Sequence, residues 1–244
     1  YGLKRKRILI GTLTEMHRQS LEFGANLDGT FRLPMAAPDE FFNVGRQRSS
    51  KISPIPVIGY IGKATSSGHE NGLTSFLSSV RIAQNRGLKV RFWLAGIEEH
   101  HRLSLCQTAT KLGIRDEFLQ ISGHVNNEFV PELLYQFDFG MIPYGESSYN
   151  SYRFPIKSVE YAAAGIPIFA TDTVSHHQIF DSSIALFYDQ SNPLDFVLKL
   201  EELLKNPSQI LVLRATAMAW ASNYTYYNRV KLASEALRNH GKLV

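Results

Sequence analysis

Residues 144–172 read YGESSYNSYRFPIKSVEYAAAGIPIFATD, and this stretch decides both the fold and the site. It begins as a loop of small polar and aromatic residues. Pro155 then stands at a predicted first helical position, where a missing N–H costs nothing. A short helix over residues 156–164 follows, Gly165 ends it, and residues 167–171 form a strand. A loop, a helix N-terminus and a strand are therefore expected to meet at one place.

Two cations lie beside the predicted helix N-terminus. Arg153 and Lys157 flank a first turn whose N–H groups have no intrahelical partners and carry the positive end of the helix dipole. Together these groups predict a binding site for an anion such as a phosphate.

Glu160 interrupts a helix that is otherwise small and apolar. Burying a carboxylate is costly unless a partner satisfies it. Hydroxyl groups of a sugar or ribose would be suitable partners, and so would an ion pair with Lys157 or Arg153. The spacing leaves both interpretations open.

The segment FPIKSVEYAAAGIPIFATD, residues 154–172, resembles the nucleotide-sugar segment of GT-B glycosyltransferases, especially those of family 4. The resemblance implies that Glu160 binds the nucleotide ribose. The family's first Glu, which handles the donor sugar ring, corresponds here to Tyr152. A subgroup with a Pro-x-Lys-x-x-Glu-Tyr pattern is closer, and Pro155, Lys157, Glu160 and Tyr161 fit it.

Alternating strands and helices after residue 56 predict a doubly wound, Rossmann-like parallel sheet with a helical C-terminal segment. The expected strands are 57–62, 90–95, 118–122, 139–144, 166–171 and 184–188. The expected helices are 72–85, 98–112, 128–136 and 155–164, followed by packing helices beyond residue 192. Residues 1–50 are expected to be the end of an N-terminal, acceptor-side domain plus linker, with the polar, basic stretch 43–56 as linker. Residues 51–244 are expected to bind the nucleotide sugar.

Ligands of such sheets bind beyond the carboxyl ends of the strands, so the loops there supply further candidates. In GYIGKATSSGHENG, residues 59–72, the glycines allow close backbone approach and Lys63 can reach a phosphate. The resemblance implies two cations in this loop; Lys63 stands near the first, and Asn71 replaces the second. It also places the nucleobase beside His124 and Val125, and the donor sugar beside residues 147–154, which include Phe154.

Composition limits the classes of function. The 244 residues are 44% hydrophobic and 20% charged, with a net charge of +4, as in an ordinary globular protein. Acidic and basic residues are interspersed, so nucleic acid is not the expected partner. The charge is compatible with anionic nucleotides and with peripheral contact to a membrane surface. No apolar run reaches transmembrane length, so we expect a cytoplasmic protein, or one at the inner face of a membrane. Its first residue, Tyr1, suggests a fragment or a processed product that lacks an N-terminal domain.

The function expected from the resemblance is sugar transfer from a nucleotide-diphospho-sugar to a carbohydrate or lipid-linked acceptor in glycan or polysaccharide biosynthesis. It implies a hexosyltransferase, with retention of anomeric configuration. No metal or other cofactor is expected, because Lys63, Lys157 and Arg153 suffice to stabilise the departing diphosphate. The sequence identifies no catalytic residue. The alternatives are a sugar-nucleotide epimerase of the same fold and a non-catalytic sugar-nucleotide-binding domain.

Overall fold

The structure is a computed structural model that describes residues 10–14, 18, 30–66, 69–145, 150 and 153–242. Two short parallel strands come first, β1 (Ile10–Thr12) and β2 (Thr30–Arg32). The helices of the described residues are α1 (Asp39–Gln47), α2 (Leu73–Asn85), α3 (Glu99–Lys111), α4 (Val130–Leu134), α5 (Ile156–Ala163), α6 (Val174–His177), α7 (Pro193–Leu204), α8 (Pro207–Ala221) and α9 (Tyr226–Lys242). The further strands are β3 (Val57–Ile61), β4 (Thr65–Ser66), β5 (His69–Glu70), β6 (Arg91–Ala95), β7 (Leu119–Ile121), β8 (Phe139–Ile142), β9 (Ile168–Thr171) and β10 (Ala185–Tyr188).

Six of these strands form one parallel sheet in the order β10-β9-β8-β3-β6-β7. The chain enters at β3, extends outward through β6 and β7, then crosses back to place β8 on the other side of β3. The strand order thus reverses between β3 and β8. In doubly wound sheets the crevice for a ligand opens at this switch point, beyond the carboxyl ends of the strands.

Small residues let α5 pack closely on its neighbours. Ala162, Ala163 and Ala164 are fully buried. A Cβ on Gly45 of α1 would lie 2.2 Å from the Ala163 carbonyl oxygen, so only glycine permits this approach. Tyr161 is also buried, and its hydroxyl accepts a hydrogen bond from the Ile61 amide at 3.0 Å. The helix is thereby fixed against β3, on which the candidate site depends.

The structure confirms the predicted class of sheet, and it corrects several details. The stretch 43–56 is not linker throughout: α1 reaches Gln47, because Phe41 and Val44 bury their side chains. Pro155 is the N-cap of α5 rather than its first residue. The predicted helix 128–136 is a 3₁₀ turn, Asn127–Phe129, followed by α4, which ends at Leu134. The strands begin or end one or two residues inside the predicted bounds.

Charged groups at the carboxyl end of α5 have structural partners. Arg48 donates hydrogen bonds to the carbonyl oxygens of Ala164 at 2.8 Å, Phe137 at 2.7 Å and Leu134 at 2.5 Å. Asp138 accepts from the amides of Ser53 and Val57 at 3.1 and 3.0 Å. The segment that leads into β3 is therefore fixed to the sheet at this end.

Candidate functional site

The loop after β3 and the first turn of α5 meet at the switch point. Gly62 has a φ of +139°, which residues with side chains rarely adopt. A Cβ at this position would lie 2.4 Å from Cε and 2.6 Å from Nζ of Lys157. The Lys157 ammonium therefore lies directly over the Gly62 backbone, 5.6 Å from the centre of the Tyr60 ring. Residues 95 positions apart in sequence are thus brought together.

Lys63 follows Gly62, and its side chain is exposed. Its carbonyl oxygen accepts hydrogen bonds from the Tyr60 hydroxyl at 2.6 Å and from Asn71 Nδ2 at 2.8 Å. The Glu98 carboxylate accepts from the next amide, Ala64, at 2.9 Å. The backbone that carries the Lys63 ammonium is thus fixed, while the ammonium itself has no hydrogen bond or ion pair with a described residue.

Arg153 precedes α5 and contacts the loop after β3. Its Nη1 donates to Asn71 Oδ1 at 3.0 Å, and its guanidinium carbon is 4.1 Å from the centre of the Tyr144 ring. Cations stack favourably on the faces of aromatic rings. Tyr144 is buried and follows β8, so the strand on the other side of the switch point positions this cation.

Glu160 lies one turn after Lys157 on α5. Its side chain keeps partial solvent access. Its carboxylate forms no ion pair with Lys157 or Arg153, and no hydrogen bond with any other described residue. Burial raises the pKa of the Glu160 carboxyl above its ordinary value, and the charge of Lys157 offsets only part of this shift. The ion-pair interpretation left open by the sequence is therefore wrong, and the carboxylate retains its acceptor capacity.

The remaining candidates of this segment differ in position. Phe154 and Pro155 are buried, and the Phe154 ring packs 5.7 Å from the Tyr224 ring. Their side chains belong to the core, whereas the sequence analysis expected them to contact the donor. No side chain caps the first turn of α5. The Ser158 amide donates to the Pro155 carbonyl oxygen at 2.9 Å, whereas the amides of Ile156 and Lys157 donate to no described residue and can face an anion. Tyr152 and most of the 147–154 loop lie outside the described residues.

His124 and Val125 follow β7, in the loop expected to meet the nucleobase. His124 is exposed, whereas Val125 is partly buried against the core. The amide of Gly96 donates to the Gly123 carbonyl oxygen at 3.0 Å, and the Gly62 amide donates to the Ala95 carbonyl oxygen at 2.8 Å. The loops after β3, β6 and β7 are thus joined by backbone hydrogen bonds along the carboxyl edge.

His176, after β9, belongs to the structure beneath this edge. It is 2% exposed, and its Nδ1 lies 2.9 Å from the Thr171 carbonyl oxygen. Burial lowers the pKa of His176 to about 4. The residue is neutral at physiological pH and locally hydrogen-bonded.

Two features of the site were missed at the sequence level. Asn71, which the sequence analysis named only as the replacement of a cation, is buried and connects two loops. Tyr60 lies beneath Lys157, and Tyr144 lies beneath Arg153. The start of α2 after Gly72 agrees with the predicted helix 72–85, and no side chain caps it.

Among the described residues, no cluster of three or more His, Cys, Asp or Glu side chains is arranged to hold a metal ion. No helix in the same residues is both long and apolar enough to cross a membrane.

A doubly wound α/β sheet whose switch point carries cations, helix N-termini without side-chain caps, and a carboxylate with no partner in the described part of the chain defines a domain suited to anionic nucleotides. A model of the family described as Glycosyl transferases group 1 matches residues 55–206, more than half of the chain. The chain belongs to this family, which confirms the resemblance read from residues 154–172.

One curated relative is similar over part of the chain. The putative teichuronic acid biosynthesis glycosyltransferase TuaH of Bacillus subtilis (strain 168) is 30% identical over 83 residues, which are 34% of this chain and 21% of TuaH.

Solved structures share the fold at low sequence identity. A glycosyltransferase from Rickettsia africae ESF-5 matches with a TM-score of 0.78 and 12% identity, over 97% of this chain and 64% of that one. Anabaena Alr3699/HepE, solved in complex with UDP and glucose, matches with a TM-score of 0.71 and 13% identity, over 94% and 62%. This chain therefore spans less than two thirds of these proteins. The C-terminal domain of a glycosyl transferase group 1 family protein (LpcC) from Francisella tularensis matches with a TM-score of 0.57 and 14% identity, over 70% and 89%.

Proposed function

We propose that this chain is the donor-binding half of a glycosyltransferase that moves a sugar from a nucleotide-diphospho-sugar to an acceptor. The observation that carries the proposal is the Glu160 carboxylate. It lies one turn from Lys157, is partly buried and has no protein partner among the described residues. A buried carboxylate without a partner is costly, and ribose hydroxyl groups would satisfy it.

The chemistry assigned to the site is the departure of a nucleoside diphosphate. The bond between the anomeric carbon and the diphosphate oxygen breaks, and a bond between that carbon and an acceptor hydroxyl oxygen forms. The hydroxyl proton is released, and the nucleoside diphosphate leaves with the negative charge that builds on it. Lys63, Lys157 and Arg153, together with the first turn of α5, stabilise this charge, since preorganised cations and N–H groups act most strongly where charge develops. These groups supply the stabilisation without a metal ion.

We infer hexosyl transfer with retention of configuration, a cytoplasmic location that includes the inner face of a membrane, and a carbohydrate or lipid-linked acceptor in polysaccharide biosynthesis. Membership of the glycosyl transferases group 1 family supports this assignment, and so does the biosynthetic role in the name of TuaH. This chain leaves about one third of the Rickettsia africae glycosyltransferase unmatched. We assign the residues that bind and activate the acceptor to that part.

Isothermal titration calorimetry of the chain with UDP and GDP tests the donor site. We expect one of the two nucleotides to bind, and Glu160→Ala and Lys63→Ala each to weaken its affinity about tenfold, the loss of one good polar contact. Glu132→Ala and Lys111→Ala, two exposed residues away from the switch point, are the matched controls and should change nothing. Unchanged affinity in both site variants would refute the assignment.

A second candidate, a non-catalytic sugar-nucleotide-binding domain, is favoured by Tyr152 at the position of the family's first Glu. Mass spectrometry of a panel of nucleotide-diphospho-sugars distinguishes the candidates. Release of free nucleoside diphosphate by a protein that also contains the acceptor-side domain supports a transferase, whereas binding without turnover by that protein, unaltered by Tyr152→Glu, supports the binding domain. An epimerised sugar nucleotide formed without any acceptor would indicate the epimerase instead.

A further inference from the structure

The Asn71 amide connects separate parts of the candidate site. The residue is 2% exposed. Its Nδ2 donates to the Lys63 carbonyl oxygen at 2.8 Å and to the Tyr60 hydroxyl at 3.3 Å. Its Oδ1 accepts from Arg153 Nη1 at 3.0 Å, and its backbone amide donates to the Ala64 carbonyl oxygen at 2.8 Å. One side chain thus joins the loop after β3 to the segment that precedes α5.

Only an amide of this length satisfies all these partners. A guanidinium needs an acceptor, while the Lys63 carbonyl oxygen needs a donor, and the two ends of the Asn71 side chain supply one of each. A carboxylate has no donor for the carbonyl oxygen, and an aliphatic side chain offers neither the donor to Lys63 nor the acceptor to Arg153. Buried polar groups without partners are expensive, so the network is specific for asparagine.

The position of the Arg153 guanidinium points to an anion. Asn71 precedes Gly72, the N-cap of the 13-residue helix α2. A cation held beside a helix N-terminus faces the positive end of the helix dipole, an unfavourable arrangement by itself. Lys157, which lies over the Gly62 backbone, and the first turn of α5 add more positive potential to the site. A bound polyanion would interact favourably with all of these positive groups at once.

We propose that Asn71 is a positioning residue: it holds Arg153 against the second phosphate of the donor's diphosphate, the one that carries the sugar. Asn71 itself does not contact the reacting atoms in this arrangement. It sets the distance between the cation after β3, Lys63, and the cation before α5, Arg153, so that both reach one diphosphate. This inference depends on the proposed function, and it names the residue pair on which diphosphate recognition depends.

A double-mutant cycle tests the inference, because two residues that act as a unit are not additive. Affinities for UDP and UMP, or for GDP and GMP if the chain prefers guanine, are measured for the wild type, Asn71→Ala, Arg153→Ala and the double variant. We expect each single variant to lower the diphosphate-to-monophosphate affinity ratio about tenfold. The double variant should be no lower than Arg153→Ala alone.

The affinity ratio separates positioning from a general structural role. A loss of local structure would weaken UMP as much as UDP, whereas displacement of Arg153 removes only the preference for the second phosphate. If Asn71→Ala does not fold, Asn71→Ser is the second variant, since it leaves room for water to reach the Lys63 carbonyl oxygen. Additive losses, or an unchanged ratio in Arg153→Ala, would overturn the inference while nucleotide binding persists. A wild-type chain that binds no nucleoside diphosphate would instead refute the proposed function, and the inference with it.

Discussion

The two ends of helix α5 hold charged side chains in opposite ways. At its carboxyl end, the Arg48 guanidinium donates to three carbonyl oxygens, one of which, that of Ala164, directly follows the helix. At its amino end, Lys157 and Glu160 lie one turn apart, and neither forms an ion pair or a side-chain hydrogen bond within the described part of the chain. One end of the helix thus carries a guanidinium whose three nitrogens all donate hydrogen bonds to the protein. The other end carries two charged groups that have no hydrogen bond or ion pair among the described residues.

The difference separates charges that stabilise the fold from charges that are available to a ligand. A partly buried cation with three acceptors contributes to stability, and removing it leaves buried carbonyl groups without partners. Partly buried charges without partners cost stability and are retained where a ligand needs them. The amino end of α5 lies at the switch point of the sheet, where such a ligand is expected.

The largest effect is expected at the carboxyl end. Arg48→Met should lower the free energy of unfolding on the order of 4 kcal/mol, because three hydrogen bonds are lost and their acceptors stay buried. Urea denaturation measures this loss. Nucleotide affinity of the remaining folded protein should stay within twofold of the wild type.

Lys51→Met is the matched control for this prediction. Lys51 is exposed, lies three residues further along, and forms no hydrogen bond through its side chain among the described residues. Its substitution should leave stability unchanged. Equal effects of the two variants would show that the Arg48 network contributes nothing particular, and the contrast between the two ends would disappear.

His176 tests whether every polar group at the carboxyl edge of the sheet is available to a ligand. Burial lowers its pKa to about 4, and the charges of His177 and Arg153 act in the same direction against the Thr171 hydrogen bond. The unfolded chain, with a pKa near 6.5, takes up this proton first as the pH falls. Stability is therefore complete above pH 6.5 and decreases by about 3 kcal/mol between pH 6.5 and pH 4.

Urea midpoints from pH 7.5 to pH 4 measure this loss. His176→Gln does not titrate, so its stability should decrease less over the same interval. Identical slopes for the two proteins would mean that the folded state accepts the proton as readily as the unfolded state, and that His176 is not a purely structural neutral residue.

Local features of the sequence predicted much of the fold. Gly165 ends α5 with a φ of +65°, as predicted from its position after the small-residue helix. The alternation of strands and helices predicted a parallel doubly wound sheet, because the spacing of apolar residues in each element reflects its burial in or against a sheet. The error in the stretch 43–56 arose from weighing its polar residues above Phe41 and Val44, whose spacing already marked an apolar helix face.

The arrangement of the site was less predictable, because it depends on contacts between distant residues. Lys157 and Glu160 could be assigned from the local pattern PIKSVEY, residues 155–161. The contact of Arg153 with Asn71 joins positions 82 residues apart, and nothing in either local pattern indicates it. Strand order, which brings the loops after β3 and β8 together, is likewise a property of the whole sheet.

Substitution of Gly62 tests the amino end of α5, and its expected effect on stability is smaller than those of Arg48 and His176. Gly62→Ala places a methyl group 2.4 Å from Lys157 Cε on a backbone with φ of +139°, so the lysine must move away. We expect a loss of about 2 kcal/mol in the free energy of unfolding from backbone strain. Affinity for the nucleoside diphosphate should fall several-fold, because the ammonium leaves the crevice.

Gly87→Ala separates strain from displacement. Gly87 also has a positive φ, +70°, but a Cβ there meets no atom within 4 Å. This control should lose about 1 kcal/mol of stability and keep its nucleotide affinity. If both variants lose affinity alike, strain alone explains the effect, and the position of Lys157 over Gly62 is not important for binding.

The smallest expected effect has the opposite sign and concerns Glu160. Burial raises the pKa of its carboxyl, so the unfolded chain loses this proton first as the pH rises. The contribution of Glu160 to stability is therefore complete below about pH 4.5, the ordinary value, and is lost as the pH rises through the folded-state pKa. Glu160→Gln carries no charge and escapes this loss, so it should be slightly more stable than the wild type at pH 8 while its nucleotide affinity falls.

Chemical denaturation at pH 8 and pH 4.5, combined with calorimetry, measures both properties. A Glu160→Gln protein that is less stable at pH 8 would mean that the carboxylate has a stabilising partner within the protein, and the amino end of α5 would then resemble the carboxyl end.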